Sequence, residues 1–211
     1  MNLPTKITFS RIILVVLLVI ALFVLSLIPN LNIPLIEGTS INLGFLIVCI
    51  VFLVASLTDW LDGYLARKNN QVTALGKFLD PIADKLLVNS MVIFLTAPSI
   101  FAPYATGQVA TISVWCAIVL VGRDIIVDAL RFIAAQRNVV IAANIFGKAK
   151  TVLQMVAIIV VLLNGFPFSY FDASWPVGLH ISDILVYLAT LVSFISGVIY
   201  VIQNRHVFKG E

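Results

Sequence analysis

The chain has 211 residues, of which 61% are hydrophobic and 11% charged, and its mean hydropathy is +1.11; soluble domains carry about a quarter charged residues, so it is not one of them. The apolar content also excludes disorder, two cysteines exclude a disulfide scaffold, and a surplus of only three positive charges excludes a nucleic-acid binder.

A helix needs about 20 apolar residues to cross the bilayer core. Six runs of this kind follow one another: Ile7–Ile28, Leu43–Ala66, Leu79–Ala97, Val109–Ala135, the shorter Thr151–Leu163, and Ile184–Ile202. The first outruns a signal-peptide core and no small-x-small cleavage pattern follows it, so it reads as a retained span. Pro29, Pro34 and Gly38, then Pro98, Pro103 and Gly107, then Gly165, Pro167 and Pro176 punctuate three connections as loops. Those connections contain no Lys or Arg, and all thirteen basic residues lie towards the termini, between spans two and three or early in span three, or around spans four and five. Cytoplasmic segments retain Lys and Arg, which puts both termini in the cytoplasm. The expected fold is an all-α, polytopic integral membrane bundle of six transmembrane helices. With no internal repeat or linker, residues 1–211 read as a single domain. Cys49 and Cys116 sit in apolar runs, where a packing role is expected.

The acids are the anomaly, because a carboxylate at membrane depth is costly and marks function by default. Six of the ten acidic residues lie in or beside spans on the basic side of the bundle. Asp59, Asp62, Gly63 and Ala66 are spaced i, i+3, i+4, i+7 and share one helix face; Asp80 and Asp84, spaced i, i+4, share a face of the next helix. The short Arg67–Gly76 connection makes the two helices neighbours and brings the four carboxylates together. Converging carboxylates repel unless cations lie between them, and hard oxygen ligands select Mg²⁺ or Mn²⁺. A two-metal centre of this kind serves phosphoryl and phosphodiester displacement. Gly63 and Ala66 leave room for a ligand against the helix, or for another helix.

The run Asp59-x2-Asp62-Gly63-x2-Ala66-Arg67-x8-Gly76-x3-Asp80-x3-Asp84 fixes eight residues over 26 positions and resembles the complete signature of the CDP-alcohol phosphotransferase family. The resemblance implies two divalent cations, Mg²⁺ or Mn²⁺, held by Asp59, Asp62, Asp80 and Asp84, with Asp84 the general base that deprotonates the acceptor alcohol. It implies that Asp59, Asp62, Gly63, Ala66, Arg67, Thr73 and Gly76 meet the CDP portion of a CDP-alcohol. A bare carboxylate is a weak base for an alcohol, so the metals must supply part of the driving force. Direct displacement and a covalent intermediate both remain open, and the commitment of the acids to metal favours the direct route.

A second polar cluster runs through Arg123, Asp124, Asp128, Arg131 and Arg137, then Gly147, Lys148, Lys150, Thr151 and Gln154. Fixed cations beside a phosphotransfer centre suit an acceptor that carries its own phosphate, and Arg is the better fork for it. Arg123, Arg131, Lys148 and Lys150 are therefore the candidate acceptor-phosphate ligands. Arg123 has the alternative of neutralisation by Asp124 or Asp128, and Lys148 and Lys150 that of snorkelling at a span end. The cluster, and the opening Asn2–Arg11, resemble the phosphatidylglycerophosphate synthase branch of the family, although Thr5 and Asp124 depart from its pattern. That resemblance implies CDP-diacylglycerol and sn-glycerol 3-phosphate as substrates, membrane lipids around the protein, and a homodimer. It also implies a bacterial plasma membrane, an active site facing the cytoplasm, and an N-terminal segment lying along the membrane before the first span. Other acceptors, namely phosphatidylglycerol, serine or an inositol phosphate, use the same chemistry.

His180 and His206 have no ligand pattern around them, and Glu37, Asp172 and Asp183 read as solvated outer-loop acids. A divalent-cation transporter is the reading from another class. It would place acids near the midplane, in matching interrupted helices of two related halves, and the sequence has neither.

Overall fold

The computed structural model describes residues 2–28, 33–68, 73–97, 109–137 and 145–205. Their secondary structure is helical, with no strand among them beyond one isolated bridge between Leu35 and Asn42. The helices are α1 (Leu3–Ser26), α2 (Leu43–Lys68), α3 (Ala74–Phe94), α4 (Val114–Gln136), α5 (Ile145–Leu162), the short α6 (Ser169–Asp172) and α7 (Ile181–Gln203). The six long ones match the six apolar runs in order, with shifted ends. Three of them, over Thr5–Ser26, Leu43–Tyr64 and Ile181–Gln203, are long and apolar enough to cross a membrane by length and composition. The charges of the polar clusters interrupt two of the others: Lys77, Asp80, Asp84 and Lys85 in α3, and Arg123, Asp124, Asp128 and Arg131 in α4.

Local chemistry starts the helices where the sequence permits it. Asn42 Oδ1 accepts from the backbone N–H groups of Gly44 (2.8 Å) and Phe45 (3.3 Å), and Thr73 Oγ1 accepts from that of Gly76 (3.0 Å). Pro4 sits in the first turn of α1, where its missing N–H costs nothing. From there Leu3–Ser26 is one uninterrupted helix, so the opening segment does not form the separate surface element expected of it. Two outer-loop expectations are also corrected. Asp172 is buried rather than solvated, and its carboxylate accepts from Ile181 N–H at 2.7 Å. His180 and Asp183 form a capping box at the start of α7, with Nδ1 3.4 Å from Asp183 Oδ2. His206 lies outside the described residues.

Helix α1 packs on both α2 and α3, and α7 packs on both α4 and α5; smaller contacts of α2 with α5, and of α3 with α4 and α5, join the two groups. The main core draws on Phe45–Ala55 of α2, Leu87–Leu95 of α3, Cys116–Leu120 of α4, Ala157–Leu162 of α5 and Val186–Ala189 of α7. It therefore uses the first halves of α2, α4 and α7 and the second halves of α3 and α5, which an up-and-down succession produces. Cys49 and Cys116 are both buried there as free thiols. The polar residues of interest gather at the other end. Large side chains such as Leu17, Phe23, Leu57 and Trp115 are at least 60% exposed around the bundle, a surface suited to lipid and unlike that of a soluble monomer.

Candidate active site

Three of the four signature carboxylates converge, and a residue of α1 stands among them. Thr8 Oγ1 lies 2.8 Å from Asp80 Oδ1 and 3.1 Å from Asp62 Oδ2, so its single proton is shared between carboxylates of two helices. One turn on, Arg11 is ion-paired with Asp59 and places Nη2 3.5 Å from Asp62 Oδ2. Arg11 is 2% exposed and Asp62 3%, so neither charge has bulk water and each offsets the other's desolvation. Sequence reading expects α2 and α3 to meet directly. They do touch, but both pack more extensively on α1, which supplies the groups through which their acids communicate. Among the described residues no three acidic, His or Cys side chains form a ready metal cluster; the Arg11 guanidinium supplies positive charge there.

Asp84 is set apart from these three. It lies within electrostatic reach of Asp59 and Arg11 on one side and of Lys150 and Asp124 on the other. It lines a cavity of about 230 Å³ between α3, α4, α5 and α7. All four candidate acceptor-phosphate residues line this cavity: Arg123, Arg131, Lys148 and Lys150. With Lys85 they make five cations against the acids Asp84, Asp124 and Asp128, a surplus of two positive charges.

The pairing inside the cavity resolves what spacing leaves open. Arg123 takes Asp124 as its partner (Nη1 to Oδ1, 3.2 Å) and donates from Nη2 to Ser196 Oγ at 2.9 Å. Asp128 pairs with Lys85. Lys150 is buried rather than snorkelling and donates to both oxygens of Asp124, at 2.8 and 2.9 Å. Arg131 Nε donates to Tyr200 Oη at 2.8 Å, and Lys148 is exposed at the rim. Arg123 reaches Ser196 by running over Gly197, where a Cβ would stand 2.8 Å from Arg123 Cγ.

The remaining signature residues fall as follows. Gly63 is on the face of α2 that carries Asp59 and Asp62. Ala66 and Arg67 are in the last turns of α2, with side chains outside the described residues. Thr73 caps α3 and its hydroxyl is 3.0 Å from that of Thr5. A Cβ on Gly76 would meet those two hydroxyls at 3.1 and 3.5 Å, so glycine is what lets α1 close on the start of α3.

Sequence reasoning gave no role to Thr8, Arg11, Ser196, Gly197 or Tyr200, and none to Gln154. A signal existed for Arg11: Thr5, Thr8 and Arg11 recur every three residues, and an arginine inside an apolar run deserves the same suspicion as an acid. The inside-positive bias absorbed it.

Residues 1–198 match the CDP-alcohol phosphatidyltransferase family. A CDP-diacylglycerol–glycerol-3-phosphate 3-phosphatidyltransferase of Bacillus subtilis is 37% identical over 210 residues, covering 99% of this chain and 97% of that protein. Proteins of the same name from Rickettsia bellii (32% over 201 residues, 94% and 93% of the two chains) and Mycoplasma genitalium (36% over 177 residues, 81% and 69%) are also similar. The chain belongs to the CDP-alcohol phosphatidyltransferase family.

Proposed function

We propose that the chain transfers the phosphatidyl group of CDP-diacylglycerol to sn-glycerol 3-phosphate, giving phosphatidylglycerophosphate and CMP. The observation that carries the choice of acceptor is the cationic cavity beside Asp84, whose surplus of two charges suits a phosphate monoester dianion. An acceptor bearing only a free hydroxyl has no use for it. The names of the similar proteins agree with this reading.

In this reading Arg123, Arg131, Lys148 and Lys150 receive the acceptor phosphate, and Asp84, at the junction of the two polar regions, takes the proton from the attacking hydroxyl. Asp59, Asp62, Gly63, Ala66, Arg67, Thr73 and Gly76 line the place of the cytidine diphosphate. The donor set Asp59, Asp62, Asp80 and Asp84 fits hard divalent ions, because the hydroxyl shared by Asp62 and Asp80 brings carboxylates of two helices to one point. Two bound Mg²⁺ or Mn²⁺ ions would neutralise the diphosphate and polarise the phosphorus under attack. Arg11 and Thr8 hold the acids in register before any ion arrives.

The proposal includes six membrane spans, both termini and the active site on the cytoplasmic side, a bacterial plasma membrane, and a homodimer. The Lys and Arg distribution supports the orientation, and cysteine-accessibility labelling of the tails tests it. The reaction is tested by CMP release from CDP-diacylglycerol in detergent with Mg²⁺, supplying glycerol 3-phosphate, serine, inositol phosphate, phosphatidylglycerol or no acceptor. Release that requires glycerol 3-phosphate and stops with EDTA is expected. Release driven by another acceptor would overturn the assignment of the cavity.

A further inference from the structure

Gln154 is 1% exposed, yet neither its Oε1 nor its Nε2 has a hydrogen-bond partner in the protein. Buried polar groups are almost always satisfied, and leaving both ends of an amide unpaired is costly. The residue lies on α5 at the i, i+3, i+4, i+7 spacing from Gly147, Lys150 and Thr151, and shares the cavity wall with them. Asp84 of α3 lines the same cavity. Of the other buried side chains of this wall that carry polar atoms, among the described residues, Asp124 and Lys150 hold each other and Tyr200 accepts from Arg131. The space has room for several waters or for a small phosphate ester.

What the amide can recognise follows from its chemistry. A carboxamide offers a donor and an acceptor together. That complements a hydroxyl, which also does both, whereas a phosphate dianion only accepts and is already matched by the cations. Glycerol 3-phosphate has two hydroxyls: the primary one that attacks, and a secondary one between it and the phosphate. We propose that Gln154 determines acceptor specificity by hydrogen-bonding the secondary hydroxyl of glycerol 3-phosphate. This fixes the acceptor at a third point, with its phosphate on the cations and its primary hydroxyl toward Asp84. The inference rests on the acceptor proposed above.

The test uses the purified full-length protein in detergent and two acceptors, glycerol 3-phosphate and 3-hydroxypropyl phosphate. The second keeps the phosphate and the primary alcohol and lacks only the secondary hydroxyl. Wild type is expected to prefer glycerol 3-phosphate by at least about tenfold in kcat/KM, because a site built to bond a hydroxyl rejects the analogue without it. Gln154→Met, of similar size and apolar, should lose that factor on glycerol 3-phosphate and stay within about twofold on the analogue, with an unchanged KM for CDP-diacylglycerol. A Met variant that keeps the wild-type preference, or falls equally on both acceptors, overturns the assignment. Should that variant not fold, wild type alone decides: glycerol 3-phosphate should raise its unfolding temperature more than the analogue does, and equal shifts overturn the assignment. Absence of CMP release by wild type with glycerol 3-phosphate is a different result, which removes the functional reading together with this inference.

Discussion

The guanidinium of Arg11 is ion-paired with Asp59, 48 residues away on another helix, and its second amino group reaches toward Asp62. Through this contact the first helix becomes part of the acidic site instead of serving only as an anchor. A fixed cation held among the acids explains how Asp62 can be buried with a charge and still belong to a folded protein.

Arg11→Ala removes that partner and leaves Asp62 uncompensated. The variant should be less stable by about 3 kcal/mol, read as a lower unfolding temperature in detergent with EDTA. Mg²⁺ should then raise the unfolding temperature of the variant more than that of wild type, because an ion can take over the missing charge. Equal shifts would mean that the ion binds elsewhere.

Asp84→Asn keeps the shape of the side chain and removes its basicity. CMP release should fall by about 100-fold or more, with unfolding temperature and gel-filtration profile preserved. Near-normal turnover would remove Asp84 as the base.

Lys148 and Arg131 separate the acceptor from the donor. Neither forms a carboxylate pair of the kind that holds Lys150; Lys148→Ala probes phosphate binding at the exposed rim, and Arg131→Ala does so while also removing the donor to Tyr200 Oη. Each should raise the KM for glycerol 3-phosphate by about tenfold or more and change that for CDP-diacylglycerol much less. Equal effects on both substrates would discredit the acceptor assignment.

Gly197→Ala tests the route of Arg123. The added Cβ meets Arg123 Cγ at 2.8 Å, so the arginine must leave Ser196 or α7 must shift, at a cost of about 1 to 3 kcal/mol. A higher KM for glycerol 3-phosphate is expected in steady-state kinetics, with a smaller change for CDP-diacylglycerol. An unaltered KM would show that the hydrogen bond to Ser196 does not position Arg123.

The helices were legible because all but one of the apolar runs are long and loop signals separate most of them. The acids were legible because Asp59 and Asp62, and again Asp80 and Asp84, lie one turn apart, and helical periodicity needs no tertiary knowledge. Arg11 was not, since its partners sit on a different helix and loop length says nothing about which third helix packs against two neighbours. The choice between Asp124 and Asp128 as partner of Arg123 was undecidable for a related reason. It depends on Lys85 of α3 reaching Asp128, and on Lys150 of α5 reaching Asp124. Gln154 stands out only through the hydrogen-bond partners its amide lacks, which no pattern in a sequence records.

Asp124 accepts hydrogen bonds from both Arg123 and Lys150, so one carboxylate governs two cations that arrive from different helices. A change at any of the three alters the surroundings of the other two. Loss of either cation leaves the other paired with Asp124, whereas loss of Asp124 strands both, so drift toward a different acceptor through these positions cannot begin at the carboxylate. Lys148 at the rim is under no such constraint, and selection can retune the site there first.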